Sequence, residues 1–303
     1  MRKTIFFLLL FFVTGSFAQT AGPVPIPGTK CSMVPPAGFV AGTNFTGFQH
    51  VESGSSIMVN ELPAPYQTMT DGFTAEALKS RGMTLLNKEP IDFNGGKATW
   101  IQVSQPANGT TYLKQILLFG DEKQTIIVNG IYPEAAKLMA PQLKAALLST
   151  VYNSSQSDNA EESANFSIQV AGTGFSYVKA ISGTLLYSLD GKIPTERPTF
   201  LVGGSLAKVA VPDQENYAIS RMKKLPGGES MTISKSRPVK IGQLNGYEIE
   251  AEGKTKDNTP ALVYQVMLFT GNGYYYIMVG NASEEQEKNL ELFKKMAGSF
   301  KRK

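Results

Sequence analysis

Residues 112–130 read YLKQILLFGDEKQTIIVNG, and residues 263–280, in the other half of the 303-residue chain, read VYQVMLFTGNGYYYIMVG. Each stretch places an apolar segment on either side of a short polar turn, which predicts a β-hairpin. At a constant offset of 150 residues the following residues match: Gln115 and Gln265, Leu118 and Leu268, Phe119 and Phe269, Ile127 and Ile277, and Gly130 and Gly280. The repeat predicts two tandem domains.

The elements around each hairpin also occur in the same order. Early strands come first, then a helix, then a four-stranded antiparallel meander that includes the hairpin, and finally a second helix. In the first half, apolar residues at helical spacing predict one helix over 66–78 and a later helix with an apolar stripe. That stripe consists of Leu138, Leu143, Leu147 and Val151. In the second half we expect a helix over 213–225 and a last helix that begins with a capping box of Ser283 and Gln286.

The N-terminal residues have the pattern of a secretory signal peptide, which we place at residues 1–18. Arg2 and Lys3 precede the apolar segment 5–13, and Ser16-Phe17-Ala18 forms a small-x-small cleavage site. An uncleaved membrane anchor is the alternative, but the apolar segment is far shorter than the about 20 residues that cross a bilayer. We therefore expect a mature chain that begins at Gln19, lacks a transmembrane segment and is periplasmic or secreted.

The domain boundaries follow from composition. Residues 19–36 are rich in proline and lack periodicity, so we interpret them as a leader or extended arm. Residues 37–152 form the first domain, 153–168 a linker without large apolar residues over most of its length, and 169–303 the second domain. Cys31 is the only cysteine, which excludes a disulfide within the chain, and we interpret it as a free thiol in a flexible leader.

The charge balance excludes one class of partner. The formal net charge is +4, and removal of Arg2 and Lys3 with the signal peptide would lower it to +2. A chain so close to neutrality gives no reason to expect nucleic acid as a partner.

The order of elements in each half, with Gly38-Phe39 after Pro35-Pro36, resembles the Mog1/PsbP-like family, once per half. The resemblance implies an α+β fold of two tandem Mog1/PsbP-like domains, each an antiparallel β-sheet packed against helices. It also implies non-enzymatic roles, such as accessory subunits, partners of small GTPases and envelope adaptors. It assigns no functional residue here, because no polar motif is shared, and a fold alone does not transfer function.

The residues that could carry chemistry are few. His50 is the only histidine and has no motif around it, so we expect no Ser-His-Asp or Cys-His site. One histidine and one cysteine are too few to hold zinc. We predict no catalytic residue, no metal site and no cofactor.

Glu248, Glu250 and Glu252 alternate along one predicted strand and therefore share one face. Such a row could bind a hard cation or serve a carboxylate-dependent hydrolase that has a second carboxylate across a cleft. The simpler interpretation is a solvated outer face, with the intervening residues pointing inward.

Tyr274, Tyr275 and Tyr276 form the most unusual cluster. Alternation along a strand places Tyr274 and Tyr276 on one face and Tyr275 on the other. Aromatic area of this kind is enriched at recognition surfaces, so the three tyrosines are our candidate partner surface. The alternative is that their rings pack in the core.

Three functional hypotheses follow. The first is a non-enzymatic binding or adaptor protein, whose two copies on a flexible linker would gain avidity for an envelope protein. The second is an envelope carrier of a lipid or another apolar ligand, which requires an apolar cavity between sheet and helix. The third is a hydrolase that uses carboxylates of the second half.

Overall fold

A computed structural model describes residues 22–107, 109–158, 160–206, 208–255 and 257–303. The chain forms two seven-stranded antiparallel sheets, one in each half, and helices pack on both faces of each sheet. The predicted α+β fold of two tandem domains is therefore confirmed. The predicted signal peptide, 1–18, lies outside the described residues.

The described residues of the first half form ten strands, three α-helices and one 3-10 helix, and the main sheet has the order β3-β4-β5-β9-β8-β7-β6. The elements are β1 Val24–Pro25, β2 Cys31–Met33, β3 Val40–Ala41, β4 Gly47–His50, β5 Ser55–Leu62, α1 Tyr66–Asp71, α2 Ala75–Lys79, β6 Thr84–Phe93, β7 Gly96–Ala107, β8 Thr110–Gly120, β9 Thr125–Pro133, a 3-10 helix Glu134–Met139, α3 Ala140–Leu148 and β10 Val151–Tyr152.

The second half repeats this plan, with the sheet order β12-β13-β14-β18-β17-β16-β15. Its elements are α4 Ala160–Ser163, β11 Phe166–Ser167, β12 Ser176–Ile181, β13 Thr184–Ser188, β14 Thr199–Gly204, α5 Gln214–Lys223, a 3-10 turn Gly228–Ser230, β15 Thr232–Ile241, β16 Leu244–Lys254, β17 Pro260–Phe269, β18 Tyr275–Ala282, α6 Gln286–Gly298 and β19 Lys301–Arg302.

The two central hairpins are equivalent, but not in the register that the sequence matches indicate. Gln115 on β8 lies opposite Gly130 on β9, whereas the residue opposite Gly280 on β18 is Tyr264. The second turn is thus one residue longer. Because a slip of one residue moves a side chain to the other face of a sheet, Gln115 faces α3 while Gln265 faces α5, where its amide donates to the Ala218 carbonyl at 2.8 Å. The predicted equivalence of the two glutamines is wrong.

The two glycines, by contrast, are true equivalents, because in each domain the C-terminal helix passes directly over them. A Cβ atom on Gly130 would lie 3.2 Å from Leu147 Cδ1 of α3, and one on Gly280 would lie 2.5 Å from the ring of Phe293 on α6. Leu147 and Phe293 are fully buried. The absence of a side chain at this point lets the helix settle onto the sheet.

The leader and the linker are built into the domains. Strand β2 pairs with β10, and Cys31 is completely buried in the core of the first domain with Ile26 and Met33. In the same way β11 pairs with β19, and Phe166 lies in the core of the second domain. The interpretation of Cys31 as part of a flexible arm is therefore wrong, and burial raises the pKa of its thiol well above the usual range.

Three helix predictions also need correction. The predicted helix over 66–78 is two short helices, because Gly72 caps the end of α1 and the Thr74 side chain accepts from the Ala77 N–H to begin α2. Leu138 is 86% exposed, because it lies in the 3-10 segment rather than on the face of α3. There is no Ser283 capping box. Helix α6 begins at Gln286, and the side chain of buried Asn289 donates to the Glu284 and Glu285 carbonyls.

Helix α5 agrees with the prediction over 213–225. Asp213 caps it by accepting from the Asn216 N–H at 3.0 Å, and Met222 is buried against the sheet.

Replacing Gly280 with alanine tests the close approach of α6. The added Cβ would overlap the Phe293 ring, so we expect Gly280→Ala to lower the free energy of unfolding by about 1–3 kcal/mol. Gly298→Ala is the matched control, since a Cβ there meets nothing within 4 Å, and it should be neutral or stabilising by up to about 1 kcal/mol. Urea denaturation of the two variants measures both values. Equal stability of Gly280→Ala and the parent would contradict the proposed packing.

Candidate functional site

The tyrosine cluster is largely internal. Tyr275 and Tyr276 are 7% and 3% exposed. Tyr275 packs on Tyr217 of α5, with ring centroids 5.7 Å apart, and Tyr276 packs on Phe300, with centroids 4.9 Å apart. Only Tyr274 is half-buried, with Lys208 Nζ 5.9 Å from its ring centroid. The candidate partner surface is thereby corrected for Tyr275 and Tyr276, whose rings belong to the two cores on opposite faces of the sheet.

The glutamate row is not an open face, since α6 covers part of it. Glu248 accepts from Arg237 Nε at 2.7 Å and from the Tyr264 hydroxyl at 3.1 Å, and its side chain is only 7% exposed. Lys294 of α6 lies 3.2 Å from Glu250. Glu252 alone is exposed. The expected solvated face is therefore wrong for two of the three glutamates, because Glu248 and Glu250 are both engaged in ion pairs.

The same position in the first domain holds a different kind of residue. Trp100 lies opposite Leu117, and Leu117 is two residues from Gln115, which lies opposite Gly130. In the second domain, Glu248 lies opposite Val266, which is two residues from Tyr264, the residue opposite Gly280. Lys144 of α3 stands over the Trp100 ring at 5.2 Å. Beneath the C-terminal helix, the first domain thus has the Trp100 ring with Lys144 above it, and the second domain has the carboxylate of Glu248 in an ion pair with Arg237. Glu248 and Glu250 therefore lie where α6 packs on the sheet of the second domain.

His50 has a local structural role. Its Nδ1 lies 2.9 Å from Ser53 Oγ and also accepts from the Ser53 N–H, and its ring packs on Phe39. Within the described ranges no three His, Cys, Asp or Glu residues converge in a way that could hold a metal ion. In that same part of the chain, no helix combines the length and the apolar character needed to cross a bilayer.

Hydrogen bonds join the two domains. The Asn44 side chain donates to the Ser205 carbonyl at 2.6 Å and accepts from Asn165 at 2.8 Å. Asn60 Oδ1 accepts from both the backbone N–H and the hydroxyl of Ser182, each at 2.8 Å. The linker takes part as well, since Gln156 donates to the Thr29 carbonyl. The two domains therefore meet at a specific polar junction, unlike the freely tethered pair that the avidity hypothesis assumed.

Two half-buried charged residues, Glu61 and Lys179, lie in this junction. Glu61 accepts from the Lys30 N–H at 2.5 Å, and Lys179 Nζ donates to the Glu61 carbonyl at 2.5 Å. Burial raises the pKa of Glu61, although the Lys30 N–H and nearby positive charges oppose the effect, and burial lowers the pKa of Lys179. Two crevices between described residues of the junction have volumes of only about 50 and 60 Å³, so each has room for no more than a few waters.

A larger apolar groove lies on the α5 face of the second domain. Helix α5 packs over β16 and β17. A helix is about 10 Å wide and strands are about 4.8 Å apart, so one helix covers about two strands and leaves β14 and residues 277–281 of β18 open beside it. The resulting groove has a volume of about 380 Å³. Its lining consists of Thr184, Thr199, Leu201, Arg221, Leu225, Pro226, Met231, Val263, Ile277, Val279 and Asn281.

The aliphatic floor of the groove is specific to the second domain. Leu201 and Val279 lie opposite each other on β14 and β18, and the corresponding pair in the first domain is Met58 and Asn129. There are two other depressions. One, of about 420 Å³, is bordered by the basic residues 301–303, and the other, of about 490 Å³, is bordered by residues of the leader and linker, several of them polar. Of these three concave surfaces, the groove has the most aliphatic lining.

No family model and no curated protein matches this sequence. Several solved structures do. LpqN of Mycobacterium tuberculosis, which is involved in cell envelope biogenesis, has 12% identity over 45% of this chain and 81% of its own, with a TM-score of 0.35. A PsbP from the cyanobacterium Synechocystis has 12% identity over 41% of this chain and 87% of its own, with a TM-score of 0.30.

A two-domain match is also found. The immunity protein TplEi of the T6SS of Pseudomonas aeruginosa has 12% identity over 94% of this chain and 98% of its own, with a TM-score of 0.32. The predicted Mog1/PsbP-like resemblance thus has a PsbP among its structural matches. At these identities and TM-scores the matches say nothing about what this chain binds.

The groove escaped the sequence analysis for a physical reason. Leu201, Ile277 and Val279 alternate with fully buried residues on strands whose two faces are both apolar. Alternation therefore does not show which face a helix leaves open. Arg221 gave no signal either, because an arginine in the last turn of a helix is ordinary.

The pKa shift of Glu61 gives a prediction about pH. Its pKa is raised in the folded state, so above the ordinary value of 4.5 the folded chain retains a proton that the unfolded chain has lost. Stability therefore falls as pH rises through that window. Glu61→Gln removes this titration, and its melting temperature should gain on that of the parent as pH rises from about 4 to about 8. Calorimetry at several pH values measures the difference.

The exposed Glu52→Gln controls for the loss of one negative charge. If the melting temperatures of Glu61→Gln and the parent run parallel across the whole range, Glu61 is not the titrating group that we describe.

Proposed function

We propose that this protein is a non-catalytic binding protein of the periplasm or extracellular space, which holds an apolar ligand in the groove of its second domain. The observation that carries the proposal is the groove itself, an open aliphatic surface between sheet and helix. Its volume of about 380 Å³ lies within the range of about 300–1,000 Å³ found for small-molecule sites. The signal-peptide pattern of residues 1–18 supports the location.

Several features of the described residues support a binding role rather than a catalytic one. His50 packs in a turn. Glu248 accepts hydrogen bonds from Arg237 and Tyr264, and Glu250 forms an ion pair with Lys294. Cys31 is buried, with its Sγ 3.9 Å from Glu61. A buried thiol whose pKa is raised is a poor nucleophile.

The first domain has a supporting role in this proposal. Asn60 accepts from Ser182 in the β12–β13 turn, and Asn44 donates to the Ser205 carbonyl just after β14. Thr184, at the start of β13, forms one border of the groove. Gly183 makes this approach possible, because a Cβ there would lie 2.4 Å from the Asn44 carbonyl oxygen. We therefore regard the pair of domains as the binding unit.

The adaptor hypothesis remains a prediction. It would need a protein-binding surface, for which half-buried Tyr274 is what remains of the original candidate cluster. Avidity from two copies would now depend on a fixed spacing of the two domains, because linked sites cooperate only when their geometry allows simultaneous binding.

Binding of a neutral apolar dye tests the groove. Nile red, whose fluorescence rises in apolar surroundings, should bind the mature protein, and Leu201→Lys and Val279→Lys should each weaken binding at least about tenfold by placing a charge on the floor. The matched control is Leu206→Lys, since Leu206 is 51% exposed and lies outside the groove lining. Thermal melts establish that the variants fold. Equal dye binding by all four proteins would refute the proposal.

A further inference from the structure

The groove is lined by one cation, Arg221, and no ion pair joins it to another described residue. We propose that the ligand is an amphiphile with a single apolar chain and an anionic head group, and that Arg221 binds the head group. This inference rests on the proposed function, because it assigns a ligand to the same groove.

Arg221 lies in the last turn of α5, where the helix borders the open strands. It is half-buried and lines the groove together with Leu225 and Met231. Its Nε atom is fully buried and has no hydrogen-bond partner in the part of the chain that the structure describes. A guanidinium nitrogen removed from water without a hydrogen-bond partner is costly. Because Arg221 lines the groove, an anion bound there lies beside its guanidinium and compensates its charge.

In the described part of the chain, no acidic side chain forms an ion pair with Arg221. Among the described residues, the ion pairs of arginine involve Arg197 and Arg237, and none involves Arg221. Glu215, the acidic residue of α5, accepts from the Ser236 hydroxyl at 2.8 Å. The Tyr275 hydroxyl lies near Arg221, but burial raises the pKa of Tyr275 to about 12, so it is neutral near physiological pH.

The distribution of apolar and charged residues in the lining determines the orientation in which the ligand binds. Leu201, Ile277 and Val279 supply an aliphatic floor, and Arg221 is the one charged side chain among the described lining residues. The remaining polar border consists of the neutral side chains of Thr184, Thr199 and Asn281. An apolar chain on the floor with an anion at Arg221 satisfies both parts, since arginine forms charge-assisted, bidentate hydrogen bonds with carboxylates and phosphates.

A series of head groups on one chain tests this inference with the parent protein. Dodecanoate, dodecanol and dodecyltrimethylammonium share a chain and differ in charge. The two ions are titrated by calorimetry below their micelle concentrations and dodecanol below its solubility limit. We expect dodecanoate to bind about tenfold or more tightly than the other two, which corresponds to about 1.4 kcal/mol. Acetate, which has the head group without the chain, should not bind measurably.

Variants of Arg221 connect the preference to this side chain. Arg221→Gln should bring dodecanoate to the affinity of dodecanol, and Arg221→Lys should retain part of the preference, because lysine keeps the charge but loses the fork. Lys224→Gln, which removes an exposed charge one residue beyond the end of α5, is the matched control and should leave the preference intact.

The outcomes separate this inference from the proposed function. Equal affinities of the three dodecyl compounds for the parent would overturn the role of Arg221 while leaving an apolar-ligand groove. An unchanged preference for dodecanoate in Arg221→Gln would also overturn it. If none of the three bound and Nile red did not bind either, the groove itself would not be a binding site.

Discussion

The contact between each C-terminal helix and a glycine of the central hairpin determines the architecture of both domains. At Gly130 and Gly280 the sheet has no side chain, and the helix above occupies that space with Leu147 or Phe293. Because the glycine fixes where the helix rests, it also fixes which strand positions lie beneath it. The side chains on those positions, Trp100 in one domain and Glu248 in the other, are buried as a consequence.

The fold could be read from the sequence because hairpins, turns and apolar periodicity are local properties. The order of elements, the tandem arrangement and helix α5 all followed from such patterns. The register of the repeat could not, because identical residues at offset 150 concealed a turn that is one residue longer. Cys31 and Phe166 were misassigned for a related reason. Their strands are two or three residues long and pair with strands far along the chain, so local composition resembled a linker.

The candidate site was even less accessible from sequence. The tyrosine and glutamate clusters attracted attention because of their composition, yet Tyr275, Tyr276 and Glu248 are buried. The groove, in contrast, forms because α5 is too narrow to cover the whole sheet. Its residues are ordinary aliphatic side chains whose exposure depends on the position of a helix. The two copies share a scaffold, and the second copy has the aliphatic pair Leu201 and Val279 where the first has Met58 and Asn129.

The short strands that close each domain have a consequence for how such a chain can arise. In the first domain β2 pairs with β10, and in the second β11 pairs with β19, so the entrance and exit of each domain lie side by side. A unit with adjacent ends can be copied in tandem without a long tether, because the second copy starts where the first one closes. The short connection from Tyr152 to Phe166 then brings the two copies into contact. Once they touch, a junction such as that of Asn44 and Asn60 can evolve, and one copy becomes free to change its surface while the other keeps its fold.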